Sequence, residues 1–314
     1  MKILVALPLT DPQLDRVRDA AGDAAVVMTD DLDEQRHEIQ DTDVLFGHMT
    51  PELLEFAPHV QWVQQTGAGV DGALFPAFVE SDIVLTSEKG YVGTHLADHA
   101  MALLLSLARG IARSVRERTW DNKMAIRDES WEFSDRTMGI VGLGGTGRAV
   151  AQRALGFGMR VVAVDPETVS LPPGVEACWP MDQFHRLLGE SDAVVIGAPL
   201  TAETRGMFDR AAFRAMRRQA ILVNVTRGKI VDEAALLEAL NEKLIAGAAL
   251  DVTPQEPLPA DHPLWSMPNV VITPHTAGGS PLRRDRVVDL FCRNVRHLRA
   301  GDPLEGVIDK GKGY

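Results

Sequence analysis

Three side chains that can bind or move charge follow apolar, strand-like segments in the second half of the chain. Arg227 follows residues 221–225, His275 follows residues 270–273, and Glu256 lies in a proline-rich loop between them. A guanidinium can hold a carboxylate and a neighbouring carbonyl oxygen through its planar fork of donors, and an imidazole can exchange a proton near neutral pH. A carboxylate beside the imidazole orients it and favours its protonated form. With a hydride donor, this set could reduce a 2-keto acid, although each residue alone has the simpler reading of a surface or structural group.

A glycine-rich segment of the type that binds dinucleotides stands between a predicted strand, residues 138–141, and a predicted helix, residues 148–155. Gly142 would permit the tight turn, Gly144 the approach of a pyrophosphate, and Gly147 close packing of helix on strand. Asp165 ends the next strand about 20 residues later, where a carboxylate binds ribose hydroxyls and repels a 2′-phosphate. We therefore expect NAD as the cofactor, in preference to NADP.

The elements that must position these groups alternate in type along the chain. Short β-branched runs alternate with helical segments over residues 1 to about 90, and a second such series with six predicted strands begins at residue 137. Such an order predicts parallel sheets with helices on their faces. The run 96–113 is apolar almost all round and predicts one helix that is buried on more than one side.

Composition narrows the classes of partner. The chain of 314 residues has a net charge of −12, so there is no basic excess for binding nucleic acid. Cys178 and Cys292 are the only cysteines, and their spacing is not that of metal ligands. We therefore expect neither a disulfide framework nor a metal site. The low cysteine content also leads us to expect a cytoplasmic location. The apolar N-terminal run is too short for a signal peptide, and no run is long enough to suggest a membrane span.

Over nearly its whole length the sequence resembles the D-2-hydroxyacid dehydrogenase family. The resemblance rests on short sequence segments that follow one another in the family's order and spacing. These segments are Gln65-Thr66-Gly67-Ala68-Gly69-Val70-Asp71, Leu96-Ala97-Asp98-His99, Gly139-Ile140-Val141-Gly142-Leu143-Gly144, Asp165-Pro166, Ala198-Pro199-Leu200-Thr201, Val225-Thr226-Arg227-Gly228, Ala248-Ala249-Leu250-Asp251-Val252, His262-Pro263-Leu264-Trp265 and Thr273-Pro274-His275. Asp98 stands where the family usually has Glu, and Gly145-Thr146 replaces a more frequent Arg-Ile.

The resemblance implies roles for individual residues. Arg227, Glu256 and His275 would form the catalytic set, and the backbone amides of Ala68 and Gly69 would bind the substrate carboxylate together with Arg227 and His275. The cofactor-binding residues predicted from the motif and the resemblance together are Thr94, Gly142, Gly144, Gly145, Thr146, Gly147, Asp165, Ala198, Pro199, Thr204, Val225, Thr226, Asp251 and Gly278. Asp251 would face the carboxamide of the nicotinamide.

The fold that we predict is α/β, with two doubly wound parallel-sheet domains. A Rossmann NAD-binding domain, residues 98–286, is inserted into a flavodoxin-like substrate domain made of residues 1–97 and 287–314. The implied activity is hydride transfer between NAD(H) and C2 of a small 2-keto or 2-hydroxy acid with D stereochemistry, glyoxylate and hydroxypyruvate being the first candidates. The resemblance also implies a homodimer, with the region 120–131 as part of its arm.

Two alternatives remain open. A phosphite-type dehydrogenase of the same family shares all three catalytic residues, whereas the formate type usually has Gln at the position of Glu256. A non-catalytic NADH-sensing interaction protein would keep the fold and bind NADH without turnover. For the substrate pocket, we expect the turn 47–50 to form one wall, with Met49 as its flexible apolar filler.

Overall fold

The computed structural model describes all 314 residues, and the chain folds into two compact units. Unit 1 consists of residues 1–92 and 280–314, and unit 2 of residues 93–279. The strands are β1 (Lys2–Val5), β2 (Ala25–Met28), β3 (Val44–Phe46), β4 (Trp62–Gln64), β5 (Val84–Thr86), β6 (Thr137–Val141), β7 (Arg160–Val164), β8 (Ala177–Trp179), β9 (Ala193–Ile196), β10 (Ile221–Asn224), β11 (Gly247–Leu250) and β12 (Val270–Ile272). The helices are α1 (Asp11–Ala21), α2 (Leu32–Glu38), α3 (Pro51–Glu55), α4 (Pro76–Glu80), α5 (Gly93–Ala108), α6 (Ile111–Glu117), α7 (Lys123–Glu129), α8 (Gly145–Gly156), α9 (Phe184–Glu190), α10 (Arg210–Ala215), α11 (Glu233–Asn241) and α12 (Arg283–Ala300).

Unit 1 is built on a five-stranded parallel sheet in the order β2-β1-β3-β4-β5, which is the flavodoxin-like order. Helices α2 and α3 begin at residues whose side chains cap free amides, as where the Asp31 carboxylate accepts hydrogen bonds from the amides of Asp33 and Glu34 at the start of α2. The C-terminal helix α12 completes the core, because Phe291 stacks on Phe46 with ring centroids 4.1 Å apart.

Unit 2 is built on a seven-stranded parallel sheet in the order β12-β11-β10-β9-β6-β7-β8. Counted within the unit, this is the Rossmann order, which reverses direction between β6 and β9. Its strands are buried on both faces, as the continuous apolar runs of residues 193–196 and 221–223 require. The predicted fold class, two doubly wound parallel-sheet α/β domains, is confirmed.

Two details of unit 2 differ from the prediction. The sheet has a seventh strand, β8, where the sequence predicted six strands, because its three half-buried residues carry too short a pattern to read as a strand. The single helix predicted over residues 96–113 is wrong, since α5 ends at Ala108 and α6 begins at Ile111. Gly110 between them has φ +65°, a left-handed conformation that interrupts the helix.

The predicted domain boundaries differ slightly from the limits of the two units. A boundary at 97/98 falls inside α5, and one at 286/287 falls inside α12. Each unit keeps its helix whole, so that the divisions lie at 92/93 and 279/280. None of the helices combines the length and the apolar character that crossing a bilayer would take.

Candidate active site

The three predicted catalytic residues follow three adjacent strands of unit 2. Strand β11 lies between β10 and β12, and the register pairs Asn224 with Leu250 and Leu250 with Ile272. Because parallel strands lie about 4.8 Å apart and all end at the same edge, the loops that follow them lie side by side. Arg227, Glu256 and His275 lie in these three loops, at the edge where open α/β sheets bind their ligands.

His275 and Glu256 form a hydrogen-bonded pair. Nδ1 of His275 lies 2.7 Å from Oε2 of Glu256, and both side chains are about half exposed. The other oxygen of Glu256, Oε1, accepts a hydrogen bond of 3.0 Å from the amide of Thr253, which holds the carboxylate in place. Since a carboxylate only accepts, Nδ1 must carry a proton, and Nε2 becomes the ring atom that gains or loses one.

The loop that carries Arg227 is held by two residues that the sequence analysis did not single out. The buried side chain of Asn224 donates to the Arg227 carbonyl at 3.0 Å and accepts from the Thr226 amide at 3.1 Å. Gly228 lies against the next loop so closely that an added Cβ would be 1.9 Å from the carbonyl carbon of Thr253. An Asn at a strand end followed by Gly four residues later is the signal that could have indicated this turn.

Asp251, predicted as a cofactor contact, is buried and already bound by protein donors. Its Oδ1 accepts from the Thr276 amide at 2.8 Å, and its Oδ2 accepts from the Ala277 amide at 2.9 Å. Its backbone carbonyl accepts from the His275 amide at 2.8 Å. His275 has φ +54°, a left-handed conformation that is costly for a residue with a side chain, and these bonds hold the turn in that shape.

The glycine-rich loop lies after β6, at the point where the strand order of unit 2 reverses. Gly142 has φ +92°, and an added Cβ there would lie 2.8 Å from the Cα of Ala198. A Cβ on Gly147 would lie 2.0 Å from the carbonyl oxygen of Gly142, so helix α8 packs on the loop at a distance that only glycine allows. Gly144 has no heavy atom within 4 Å of its added Cβ, so its open side can take a ligand. The loop, together with the free amides at the start of α8, therefore fits the pyrophosphate of a dinucleotide.

Asp165 lies at the end of β7 beside this loop. Its Oδ2 accepts from the Leu143 amide at 2.7 Å, and its Oδ1 accepts from the Glu167 amide at 2.9 Å. Each carboxylate oxygen keeps a second lone pair for a sugar hydroxyl.

The other predicted cofactor residues also belong to unit 2. Gly145 and Thr146 are the first two residues of α8, Thr94 lies in α5, and the rest lie in loops after the strands. Thr204 donates to the carbonyl of Pro199 at 2.7 Å and so shapes the loop after β9 that begins near Ala198. Val225 is buried and Thr226 half-buried after β10, while Gly278 follows β12. Thr94 is exposed in the first turn of α5, which starts against the glycine-rich loop, since a Cβ on Gly93 would lie 2.4 Å from the Gly145 carbonyl oxygen.

In unit 1, the predicted substrate loop turns its carbonyl groups inward. The carbonyls of Thr66, Gly67, Ala68 and Gly69 accept hydrogen bonds from Arg283, the Glu88 amide, Ser87 and Gln65, respectively. The amides of residues 66–69 donate to no group in the structure. A run of such amides can bind an anion, so the loop is compatible with the role predicted for Ala68 and Gly69.

The expectation for Met49 is wrong. Its side chain is 3% exposed and packs in the core of unit 1. The exposed residues of this turn are His48 and Thr50, and Nε2 of His48 lies 3.1 Å from Oγ1 of Thr66 in the substrate loop. Partial burial lowers the pKa of His48 below its ordinary value.

A Rossmann sheet with a dinucleotide-type loop and an Arg, Glu and His set at one edge defines a nicotinamide-dependent dehydrogenase. Residues 101–277 match the family model of the D-isomer specific 2-hydroxyacid dehydrogenase, NAD binding domain. The chain belongs to this family and is an oxidoreductase of 2-hydroxy and 2-keto acids.

Named relatives agree with this assignment. A glyoxylate reductase of Korarchaeum cryptofilum is 38% identical over 285 residues, which cover 87% of this chain and 84% of that protein. A D-3-phosphoglycerate dehydrogenase of Methanocaldococcus jannaschii is 31% identical over 98% of this chain, but the chain spans only 59% of that protein. The crystal structure of an NADPH-dependent glyoxylate/hydroxypyruvate reductase from Sinorhizobium meliloti, in complex with NADP and sulfate, has a TM-score of 0.83 at 28% identity and covers 100% of this chain and 99% of its own.

Proposed function

We propose that this protein reduces small 2-keto acids, glyoxylate and hydroxypyruvate first, to D-2-hydroxy acids with NADH. The observation that carries the proposal is the pair of His275 and Glu256, 2.7 Å apart, in loops beside that of Arg227. Keto-acid reduction requires an oriented imidazole that can hold a proton, and a guanidinium that binds the carboxylate and carbonyl oxygen. The names of the relatives in Korarchaeum cryptofilum and Sinorhizobium meliloti support this substrate class.

Each residue has one task in the proposed reaction. The amides of Ala68 and Gly69 bind the substrate carboxylate, and Arg227 binds the carboxylate and the neighbouring carbonyl oxygen. Nε2 of His275 gives its proton to that oxygen during reduction and takes it back during oxidation. Glu256 stabilises the imidazolium and fixes its direction. When bound, the nicotinamide supplies the hydride that is added at C2, so that keto acid, NADH and one proton give hydroxy acid and NAD⁺.

Loss of NADH absorbance with glyoxylate, hydroxypyruvate, pyruvate and 3-phosphohydroxypyruvate tests this function directly. We expect turnover with the smaller acids, and a fall in kcat of roughly 10²–10⁴-fold in His275→Gln, with NADH binding kept. NADH binding without any turnover would instead favour the sensing protein. Formation of NADH from NAD⁺ and phosphite would favour the phosphite-type enzyme.

We also propose that NAD is preferred to NADP. The carboxylate of Asp165 beside the glycine-rich loop would repel a 2′-phosphate, and the acidic Glu167 follows closely. The Sinorhizobium meliloti relative is described as NADPH-dependent, so the preference needs a direct comparison of kcat/KM for NADH and NADPH. We expect Asp165→Ser to bring the two values closer together. A wild-type preference for NADPH would overturn the proposal.

A homodimer is the proposed assembly. Ile111 and Val115 on α6, Trp120 after it and Met124 on α7 are 51%, 70%, 85% and 58% exposed, and these apolar side chains are what a second copy would cover. Sedimentation should give twice the monomer mass of 34.2 kDa, and a paired substitution of Val115 and Trp120 by Glu should lower it. A monomeric wild-type protein would contradict this assembly.

We propose a cytoplasmic location, which suits the two free thiols.

A further inference from the structure

A histidine outside the predicted catalytic set is joined by hydrogen bonds to the turn that carries His275. His99 lies on α5, and its Nε2 is 2.8 Å from Oγ1 of Thr273. Thr273 in turn donates to Oδ1 of Asp251 at 2.6 Å, and Nε2 of His99 lies 3.3 Å from that same oxygen. The side chain of Asp251 is fully buried, so these partners replace the water that an exposed carboxylate would have.

The direction of each hydrogen bond follows from what its atoms can do. A carboxylate only accepts, so the single proton of the Thr273 hydroxyl goes to Asp251. The Thr273 oxygen must then accept from His99, which places a proton on Nε2 of that ring. The result is an ordered chain that runs from His99 through Thr273 to Asp251.

The carboxylate at the end of this chain sets the backbone at His275. Asp251 receives the amides of residues 276 and 277 on its two carboxylate oxygens and the amide of His275 on its carbonyl. His275 has a left-handed backbone with φ +54°, which an isolated chain disfavours. If the carboxylate of Asp251 turned, the amides of residues 276 and 277 would lose their acceptors, and the imidazole would leave its place beside Glu256.

We propose that His99 and Thr273 are positioning residues for His275, acting through Asp251. This inference rests on the proposed function, in which His275 carries the proton. A displacement of about 1 Å at a reacting group can cost on the order of 10²-fold in rate, so loss of the Thr273 bond should appear in kcat. Helix α5 itself keeps other attachments, among them the ion pair of Asp98 with Arg153 at 2.6 Å, so the fold does not depend on this chain alone.

The matched variants are Thr273→Val, which keeps the shape and removes the hydroxyl, and Thr273→Ser, which restores it. We expect Thr273→Val to lower kcat about 10- to 100-fold with KM for NADH changed by less than about threefold, and Thr273→Ser to recover most of kcat. His99→Phe should lower kcat as Thr273→Val does. His99→Gln, which keeps a hydrogen-bond donor near the position of Nε2, should lower kcat less. The control is Thr42→Val, which removes a buried hydroxyl bonded at 2.7 Å to the Glu38 carbonyl in unit 1 and should leave kcat unchanged.

A wild-type kcat in Thr273→Val, or an equal loss in Thr273→Ser, would overturn the inference. A second readout, the NMR resonances of the His275 ring, does not depend on turnover. Because the chain has nine histidines, these resonances are assigned by comparison with His275→Gln. They should shift or broaden in Thr273→Val and stay unchanged in Thr42→Val. If the wild-type protein reduced no keto acid but these resonances still changed in Thr273→Val, the proposed function would be refuted and the positioning role would be supported. Unchanged resonances in Thr273→Val would overturn the positioning itself.

Discussion

Gly228 packs the loop that carries Arg227 closely against the loop that leads to Glu256. Replacing Gly228 by Ala tests whether catalysis depends on the distance between these two loops. The added Cβ would lie 1.9 Å from the carbonyl carbon of Thr253 and 2.1 Å from its oxygen. Ordinary contacts of a Cβ begin at about 3.4 Å, so the two backbones must separate by about 1.5 Å. Since a shift of about 1 Å can cost 10²-fold in rate, we expect kcat/KM to fall at least ~100-fold, which corresponds to about 2.7 kcal/mol of barrier.

The assay is keto-acid reduction by Gly228→Ala, with thermal unfolding measured in parallel. The matched control is Gly156→Ala in the exposed last turn of α8, where the added Cβ has no heavy atom within 4 Å. The control should keep its activity and gain up to ~1 kcal/mol of stability, because Ala is the better helix former. A Gly228→Ala enzyme with wild-type kcat/KM would refute the reasoning, since it would show that catalysis tolerates a different spacing of these loops.

Glu256→Gln removes the charge beside His275 but keeps its size, so kcat should fall about 10- to 100-fold while NADH binding, followed by fluorescence, is retained; an unchanged kcat would count against the pair. Glu305 accepts a hydrogen bond from an arginine, which holds the pKa of its carboxyl below the usual range. The charged form of Glu305 therefore stabilises the fold at neutral pH, and this stabilisation is lost as the pH falls through the lowered pKa. Glu305→Gln should therefore make urea stability less dependent on pH between about pH 6 and 3, and an unaltered dependence would speak against the assignment. Burial raises the pKa of the Cys178 and Cys292 thiols, so both should react slowly with a thiol reagent in the native protein and quickly in denaturant; rapid native reaction would disagree with this picture.

The sequence predicted the two sheets because the strands that build them carry strong local signals. Runs such as residues 193–196 and 221–223 are continuous and apolar, and alternate with helical segments. The edge strand β8 was missed because three half-buried residues show neither alternation nor a continuous apolar run. The break at Gly110 depends on packing that is remote in sequence, since an added Cβ would lie 2.6 Å from the Ile126 side chain.

At the candidate site, motifs identified residues but not the contacts between them. Arg227, Glu256 and His275 were found from their motifs and from the resemblance, and their catalytic roles stay predictions. The bonds from Asp251 to the amides of residues 276 and 277 could not be predicted, because they join loops that meet only in the folded sheet. Met49 illustrates the same limit, since adjacent residues of one turn point into the core and into solvent, and composition alone does not say which is which.

The return of α12 to unit 1 has a consequence for the growing polypeptide on the ribosome. The aromatic surface of Phe46 and Trp62 receives Phe291, whose ring centroid lies 4.1 Å and 5.3 Å from theirs, and this partner is made about 200 residues after unit 1 is first interrupted. At usual elongation rates the delay is roughly 10–40 s, during which these rings lack their cover. Unit 2 is contiguous in sequence and can close its own interior in that interval. Nascent chains halted before residue 291 should therefore expose this aromatic surface to chaperones, and completion of α12 should end that exposure.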